Sequence, residues 1–262
     1  MEFVLFFACM FAFGLIVGSF LNVVIMRSAR CEKLTGRSHC DSCRKTLSWL
    51  ELIPLFSFAY QKGRCLHCGA VLSVQYPLVE LGTALSFCAI LAYFFLYNLL
   101  SPDIRSFFLL MTTCITVSSM IVVLVSDMRY QIIPNGAVLI LAIVGAGNVF
   151  LRSGDVVRDI IAGIGFCLFF AALWYFSHGK AMGFGDVKLI FATSLLVGFP
   201  ASLAAFLFSF WLGGLAGIIL ILTRRRGLKS KLAFGPFILA GTVLAFFFSD
   251  AFFIFSGFSY FF

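Results

Sequence analysis

Residues 106–127 read SFFLLMTTCITVSSMIVVLVSD, a mainly apolar run with no charge before the carboxylate of Asp127. A helix needs about 20 such residues to cross the hydrocarbon of a bilayer. Four further stretches are long enough, namely 3–26, 77–98, 157–177 and 233–256. The composition agrees, since 62% of the residues are hydrophobic, 11% are charged and 35 are phenylalanine. We therefore expect a polytopic membrane protein whose solvent is the lipid bilayer.

Two regions decide the number of helices. The stretch 137–151 is short and needs Ile132 and Ile133 to reach across a bilayer, while 187–222 is too long for one helix. The turn sequence Gly198-Phe199-Pro200 divides the longer stretch into two. We predict an all-α fold with about eight transmembrane helices.

The distribution of basic residues predicts the orientation. Placing 27–76 in the cytoplasm fixes every later loop by alternation, and all lysines and arginines except Arg105, Arg152 and Arg158 then lie on the cytoplasmic side. An excess of Lys and Arg in cytoplasmic loops is usual for membrane proteins. Both termini are thus expected outside, and the net charge of +8 indicates orientation rather than binding of nucleic acid.

The polar segment 27–76 contains two Cys-x2-Cys pairs, a pattern that resembles a zinc ribbon. The four residues are Cys40, Cys43, Cys65 and Cys68. Four thiolates from two tight turns suit the tetrahedral coordination of Zn²⁺, and a small segment gains folding energy from a structural metal. The alternative is redox-active or incidental cysteine pairs, and His39 or His67 could replace one ligand. We expect a structural zinc site in a small cytoplasmic insert between the first two transmembrane helices.

Two aspartates lie at the cytoplasmic ends of predicted helices, where a membrane protein seldom places a carboxylate without a use for it. Asp127 ends the third helix, and Asp186, in Gly183-Phe184-Gly185-Asp186, begins the sixth. Two neighbouring carboxylates can share one proton, so that one activates water while the other polarises a carbonyl. Gly183 and Gly185 would let the backbone approach a substrate strand. The pair therefore predicts hydrolysis of a peptide bond.

Several short motifs follow one another along nearly the whole chain. They are Gly18-Ser19-Phe20-Leu21-Asn22-Val23-Val24-Ile25, Arg37-Ser38-His39-Cys40, Glu51-Leu52-Ile53-Pro54, Lys62-Gly63-Arg64-Cys65, Tyr76-Pro77-Leu78-Val79-Glu80, Ile132-Ile133-Pro134-Asn135 after Asp127, Gly183-Phe184-Gly185-Asp186-Val187-Lys188-Leu189, and Phe234-Gly235-Pro236. Together they resemble the motifs of bacterial prepilin peptidases, the type IV leader peptidase family of GxGD-type aspartyl membrane proteases.

The resemblance implies cleavage of type IV prepilins or pseudopilins at the cytoplasmic face of the bacterial inner membrane, after the glycine that ends their short basic leader. Asp127 and Asp186 would be the catalytic pair. It also implies methylation of the new N-terminal amine with S-adenosylmethionine. The family associates this second activity with the N-terminal, cysteine-bearing portion, where Gly63 and Arg64 are the expected cofactor-binding residues.

The domain organisation follows from these assignments. Residues 1–26 form the first transmembrane helix, which lacks the basic start of a cleaved signal peptide. Residues 27–76 form the zinc-binding segment, and residues 77–262 form the aspartyl peptidase membrane domain. Asn22 and Glu80, near cytoplasmic helix ends, either line the cofactor site or hydrogen-bond neighbouring helices, and the second role is favoured.

Other functions use similar residues. A proton-coupled transporter employs intramembrane acids as a relay, but it places them near the middle of the membrane and often has a repeated half. A non-catalytic zinc-bearing scaffold of pilus assembly would tolerate replacement of Asp127. Asp186 could also simply cap its helix, whereas Asp127 is poorly placed as a cap because a negative charge is unfavourable at a helix C-terminus.

Overall fold

The computed structural model describes residues 2–97, 99–100, 103–151, 155–180, 182–223 and 233–255. These residues form nine α-helices: α1 (Glu2–Ala29), α2 (Phe56–Tyr60), α3 (Gln75–Leu96), α4 (Ile104–Tyr130), α5 (Asn135–Leu151), α6 (Val156–Phe176), α7 (Phe184–Val197), α8 (Ala201–Leu222) and α9 (Gly235–Phe255). Extended pairing within the same ranges is limited to two isolated bridges, His39 with Thr46 and Arg64 with Val71. The predicted all-α fold is confirmed.

Eight of these helices have 14 residues or more, which agrees with the number of helices predicted from the sequence. The ninth, the five-residue α2 inside the insert, was not predicted. Five of them, α1, α3, α4, α6 and α8, are long and apolar enough to cross a membrane. The apolar parts of α5 and α9 are shorter, and α7 has only 14 residues. Crossing by these three helices stays a prediction. α4 continues to Tyr130, so Asp127 lies in its last turn rather than at its end.

The chain divides into two compact units, Met1–Val122 and Val123–Phe262, with the division inside α4. The domain boundaries proposed from the sequence, after residues 26 and 76, follow the polar insert and stay a prediction. The orientation prediction relies partly on Arg152 and on the basic residues between 224 and 231. These lie outside the described residues.

In the first unit, α1 packs along α3. Two glycines of α1 make the close packing possible. A Cβ atom at Gly14 would lie 2.5 Å from Cα of Ala84, and one at Gly18 would lie 2.7 Å from Cα of Glu80. Small residues commonly have this role where helices pack in membranes.

In the second unit, α7 is surrounded by α5, α6, α8 and α9, and most of its side chains are buried. Gly145 lets α5 approach α7, because a Cβ atom there would lie 2.9 Å from the backbone nitrogen of Leu196. Asp159 of α6 accepts the backbone N–H of Phe199 at 2.7 Å, in the predicted turn between α7 and α8. These neighbours fix the position of α7, and with it that of Asp186.

Candidate active site and metal centre

Asp127 lies in the last turn of α4 with its side chain buried. Its Oδ2 atom accepts the backbone N–H of Gly235 at 2.8 Å. Gly235 is the first residue of α9, where the N–H groups have no partner within the helix and carry partial positive charge. The negative charge of Asp127 is therefore unfavourable at the C-terminal end of α4, as expected, but favourable next to the N-terminal end of α9.

Gly235 is required by this contact. A Cβ atom at residue 235 would lie 2.6 Å from Oδ2 of Asp127 and 3.2 Å from its Cγ. Any larger residue would displace the carboxylate or the start of α9. This role of Gly235 was not predicted from the sequence, although Pro236 directly after it is typical of a helix start.

Asp186 lies in the first turn of α7 and is also buried. Its Oδ2 accepts the backbone N–H of Gly183 at 3.1 Å, so the prediction that Asp186 could cap its helix is confirmed. Its Oδ1 is buried and has no hydrogen-bond partner among the described residues. Both carboxylates lie in the second unit, where α9, whose first residue bonds to Asp127, also packs against α7.

The glycines of the Gly-Phe-Gly-Asp motif have separate roles. Gly183 precedes α7 with an extended backbone and supplies the N–H that Asp186 accepts. Gly185 lets α7 approach the segment before α5, since a Cβ atom there would lie 3.0 Å from Cβ of Ile133. Lys188, one turn further on, donates to Oδ1 of Asn135 at the start of α5. The motif thus shapes the surroundings of Asp186 in addition to holding its carboxylate.

The four predicted metal ligands form one cluster. The Sγ atoms of Cys40, Cys43, Cys65 and Cys68 all lie within 4.8 Å of one another. The separation between Sγ of Cys40 and Sγ of Cys68 is 3.8 Å, which is also about the separation of two thiolates on a tetrahedral Zn²⁺ with 2.3 Å bonds. All nine cysteines are free thiols, so the four clustered sulfur atoms are available as metal ligands. The cluster fits one zinc ion.

The two cysteine turns have the same backbone pattern. Cys40 donates its N–H to Lys45 and accepts from Arg44, just as Cys65 donates to Ala70 and accepts from Gly69. The backbone N–H groups of Cys68 and His67 lower the pKa of Cys65 to about 7, which favours the thiolate that zinc binds.

The two histidines of the insert have other partners and are not part of the cluster. His39 lies 3.0 Å from Arg44, and His67 lies 3.1 Å from Lys45. The other ring nitrogen of His67 lies 3.6 Å from Glu51. Hydrogen bonds from Ser48 lower the pKa of the buried Glu51 carboxyl, so this residue stays ionised beside His67.

Gly63 and Arg64 lie directly before the second cysteine turn. Gly63 has φ of +68°, a conformation that favours glycine, and its carbonyl accepts the N–H of Leu72. Arg64 pairs with Val71 across the same turn. Both residues thus support the turn that carries Cys65.

Asn22 and Glu80 bond across α1, α3 and the insert. The Nδ2 atom of Asn22 in α1 donates to the carbonyl of Tyr76 in α3 at 3.0 Å. Glu80 accepts the backbone N–H of Leu55 at 2.8 Å and so joins α3 to the insert. The favoured prediction, hydrogen bonding between neighbouring elements, is confirmed for Asn22.

Two family models match the chain. The Bacterial Peptidase A24 N-terminal domain matches residues 12–94, which contain the four clustered cysteines. The Type IV leader peptidase family matches residues 114–218, which contain both aspartates. No solved structure matches the chain.

Individual relatives are similar over most of their length. A prepilin leader peptidase/N-methyltransferase of Bacillus subtilis is 33% identical over 92% of this chain and 94% of its own. One of Aeromonas salmonicida is 30% identical over 94% of this chain and 92% of its own. A type 4 prepilin-like proteins leader peptide-processing enzyme of Escherichia coli is 31% identical over 88% of this chain and 89% of its own.

Proposed function

We propose, since this chain belongs to the type IV leader peptidase family, that it removes the leader peptide of prepilins or pseudopilins and then methylates the new N-terminal amine. The names of the relatives state both activities, and the similarity covers nearly the whole chain. Together with the five membrane-capable helices, this makes it a multi-pass enzyme of the bacterial inner membrane.

The observation that carries the peptidase proposal is the pair of buried carboxylates in the second unit. Asp127 and Asp186 come from different helices of the second unit and are each held through one oxygen by a backbone N–H. The unpartnered Oδ1 of Asp186 offers a position for a water molecule or a substrate carbonyl. This arrangement supports Asp127 and Asp186 as a catalytic dyad, with Gly183 and Gly185 as supporting residues.

The proposed reaction is general acid and base hydrolysis by a dyad that shares one proton. The ionised carboxylate accepts a proton from water as the water oxygen bonds to the scissile carbonyl carbon. The protonated carboxyl donates its proton to the carbonyl oxygen. When the C–N bond breaks, the leaving amine takes a proton from the dyad, and the leader ends in a carboxylic acid.

We place this reaction on the cytoplasmic face, with both termini outside. The basic residues Arg129 and Lys188 each follow one of the aspartates by two positions. Basic residues accumulate at the cytoplasmic ends of membrane helices, which supports a common cytoplasmic position for both carboxylates.

The cysteine cluster is proposed to bind one structural zinc ion. Four protein thiolates complete a tetrahedron and leave no position for a reacting group. S-adenosylmethionine is the proposed methyl donor, and it supplies an activated methyl group when bound. Gly63 and Arg64, which lie beside the cluster, are the proposed cofactor contacts.

The test is incubation of the purified protein with a candidate prepilin, with and without S-adenosylmethionine, followed by mass spectrometry of the pilin N-terminus. We expect loss of the leader in both samples and the added mass of one methyl group only with the methyl donor. A transporter or a scaffold would leave the substrate unchanged in both.

A further inference from the structure

Asn22 and Glu80 form a buried polar cluster on facing turns of α1 and α3. Asn22 is 2% exposed and Glu80 is 6% exposed. Asn22 bonds to the carbonyl of Tyr76, one helical turn before Glu80, and Gly18, one turn before Asn22, packs against Glu80, since a Cβ atom at Gly18 would lie 2.7 Å from its Cα. The amide and the carboxylate therefore lie close together, at the place where the insert reaches α3 through Leu55.

Asn22 leaves a hydrogen-bond acceptor unused. A backbone carbonyl can only accept, so the Nδ2 atom must face Tyr76 and the Oδ1 atom must point elsewhere. Oδ1 is buried and has no partner among the described residues. Leaving a buried acceptor without a donor is costly, and holding two helices together requires only the Nδ2 atom.

Glu80 is a buried carboxyl group that forms no ion pair among the described residues. Its Oε2 atom accepts from the backbone N–H of Leu55, which is a neutral donor. None of the ion pairs among the described residues includes Glu80. A buried ionised carboxylate is favourable only when a positive group compensates it, and the described residues of the first unit provide no such ion pair to Glu80.

The first turn of α3 adds an unused donor. The Nε2 atom of Gln75, the residue before Tyr76, is buried and has no partner among the residues described. The N-terminal end of α3 thus carries a free donor, in addition to the carboxyl group of Glu80 and the free acceptor of Asn22 beside it. An ammonium group next to a carbonyl or carboxylate has the complementary set, with three N–H donors, one positive charge and an adjacent acceptor.

We propose that Asn22 and Glu80 bind a primary ammonium group, and that Gln75 donates to the oxygen beside it. The site would therefore hold the α-amino end of a ligand. This inference rests on the proposed methyl transfer, in which two participants carry such a group. They are the N-terminus of the cleaved pilin and the amino-acid end of S-adenosylmethionine.

The substitution Glu80→Gln in the full-length protein separates charge from hydrogen bonding. Glutamine keeps an oxygen for the N–H of Leu55 but removes the negative charge. Binding is measured for two ligand pairs. The first is a cleaved-pilin N-terminal peptide and its N-acetylated form, and the second is S-adenosylhomocysteine and methylthioadenosine, which lacks the amino-acid end.

We expect the wild-type protein to prefer the ammonium-bearing member of one pair by about 10- to 100-fold, the range for a hydrogen bond to a charged group. Glu80→Gln should lose that preference and bind the other member as before. The pair that responds identifies the ligand, either the pilin or the methyl donor. Zinc content and prepilin cleavage of the Glu80→Gln protein should stay at the wild-type level. These two measurements distinguish ligand binding from a purely structural role of Glu80, since loss of a structural contact would lower both.

Thr83→Val is the matched control, since Thr83 is a buried polar residue of the same helix whose hydroxyl donates to the carbonyl of Val79. It should keep the ligand preference. Unchanged preference in both pairs for Glu80→Gln would overturn the inference, as would a loss of zinc and cleavage in parallel with binding. If the wild-type protein neither binds these ligands nor methylates pilin, the proposed methyl transfer fails and the site fails with it.

Discussion

Asp127 and Gly235 are 108 residues apart in the sequence, and a single hydrogen bond brings them together. Asp186 makes the corresponding bond locally, to Gly183. In both cases a backbone N–H holds one carboxylate oxygen, and the other oxygen of Asp186 has no partner among the described residues. At the residue scale, the candidate site thus depends on glycine backbone as much as on the aspartates.

Replacing either aspartate by asparagine should abolish prepilin cleavage. Asp127→Asn and Asp186→Asn each remove a group that must gain or lose a proton, while the size of the side chain is kept. The measurement is the fraction of cleaved prepilin by mass spectrometry, with membrane insertion and zinc content as controls. Appreciable cleavage by either variant would contradict the dyad.

Gly235→Ala should lower the cleavage rate by about 100-fold, the loss that a displacement of about 1 Å can cause at a reacting group. The new Cβ atom would lie 2.6 Å from Oδ2 of Asp127. Gly214→Ala in α8 is the matched control, because a Cβ atom there meets nothing within 4 Å. Equal rates for the two variants would show that the contact with Asp127 has no catalytic consequence.

At the scale of elements, the insert contains two cysteine turns with the same hydrogen bonds. Each turn contributes one buried cysteine, Cys40 or Cys65, and one exposed cysteine, Cys43 or Cys68. Among the described residues, the regular structure around the two cysteine turns is limited to two isolated bridges, α2 and a short 3-10 helix at Leu50–Leu52. An element with so little core is expected to depend on its metal.

The double substitution of Cys40 and Cys65 by serine should therefore abolish zinc binding and loosen the insert. The readouts are zinc per chain by metal analysis, about one in the wild type, and protease sensitivity of residues 30–74. Cys31→Ser is the control, since Cys31 is an exposed thiol outside the cluster. Full zinc retention in the double variant would rule the site out.

At the scale of the whole molecule, the two proposed activities use residues from different units. The zinc cluster, Asn22 and Glu80 belong to the first unit, and the two aspartates belong to the second. The boundary between the units lies within α4, so one continuous helix contributes to both. Because the residues of the two activities belong to different units, loss of one activity should leave the other intact.

Asp186→Asn protein, supplied with cleaved pilin and S-adenosylmethionine, should still methylate the N-terminal amine, because methyl transfer uses no hydrolytic water. Conversely, Gly63→Ala should lower methylation more than cleavage, since alanine is strained at φ of +68° beside the second cysteine turn. Mass spectrometry of the pilin N-terminus measures both. Parallel loss of both activities in either variant would contradict the separation.

Much of this organisation could be predicted because the residues stand out locally. Apolar runs indicate the helices, paired cysteines indicate a metal, and a carboxylate such as Asp127 is conspicuous after an apolar run. The pairing of Asp127 with Gly235 could not be predicted, since it depends on how distant helices pack. The unused oxygen of Asn22 is likewise visible only after Tyr76 is seen to occupy its nitrogen.

The limited length of α7 has a consequence for how the enzyme obtains water. Fourteen helical residues extend about 21 Å, which is less than the hydrocarbon thickness of about 30 Å. Such hydrophobic mismatch would thin the bilayer around a lipid-exposed helix, but other helices surround α7. We therefore expect its ends to be recessed from the headgroup level, so that Asp186 is hydrated from a shallow inlet while the apolar part of a substrate stays in the lipid.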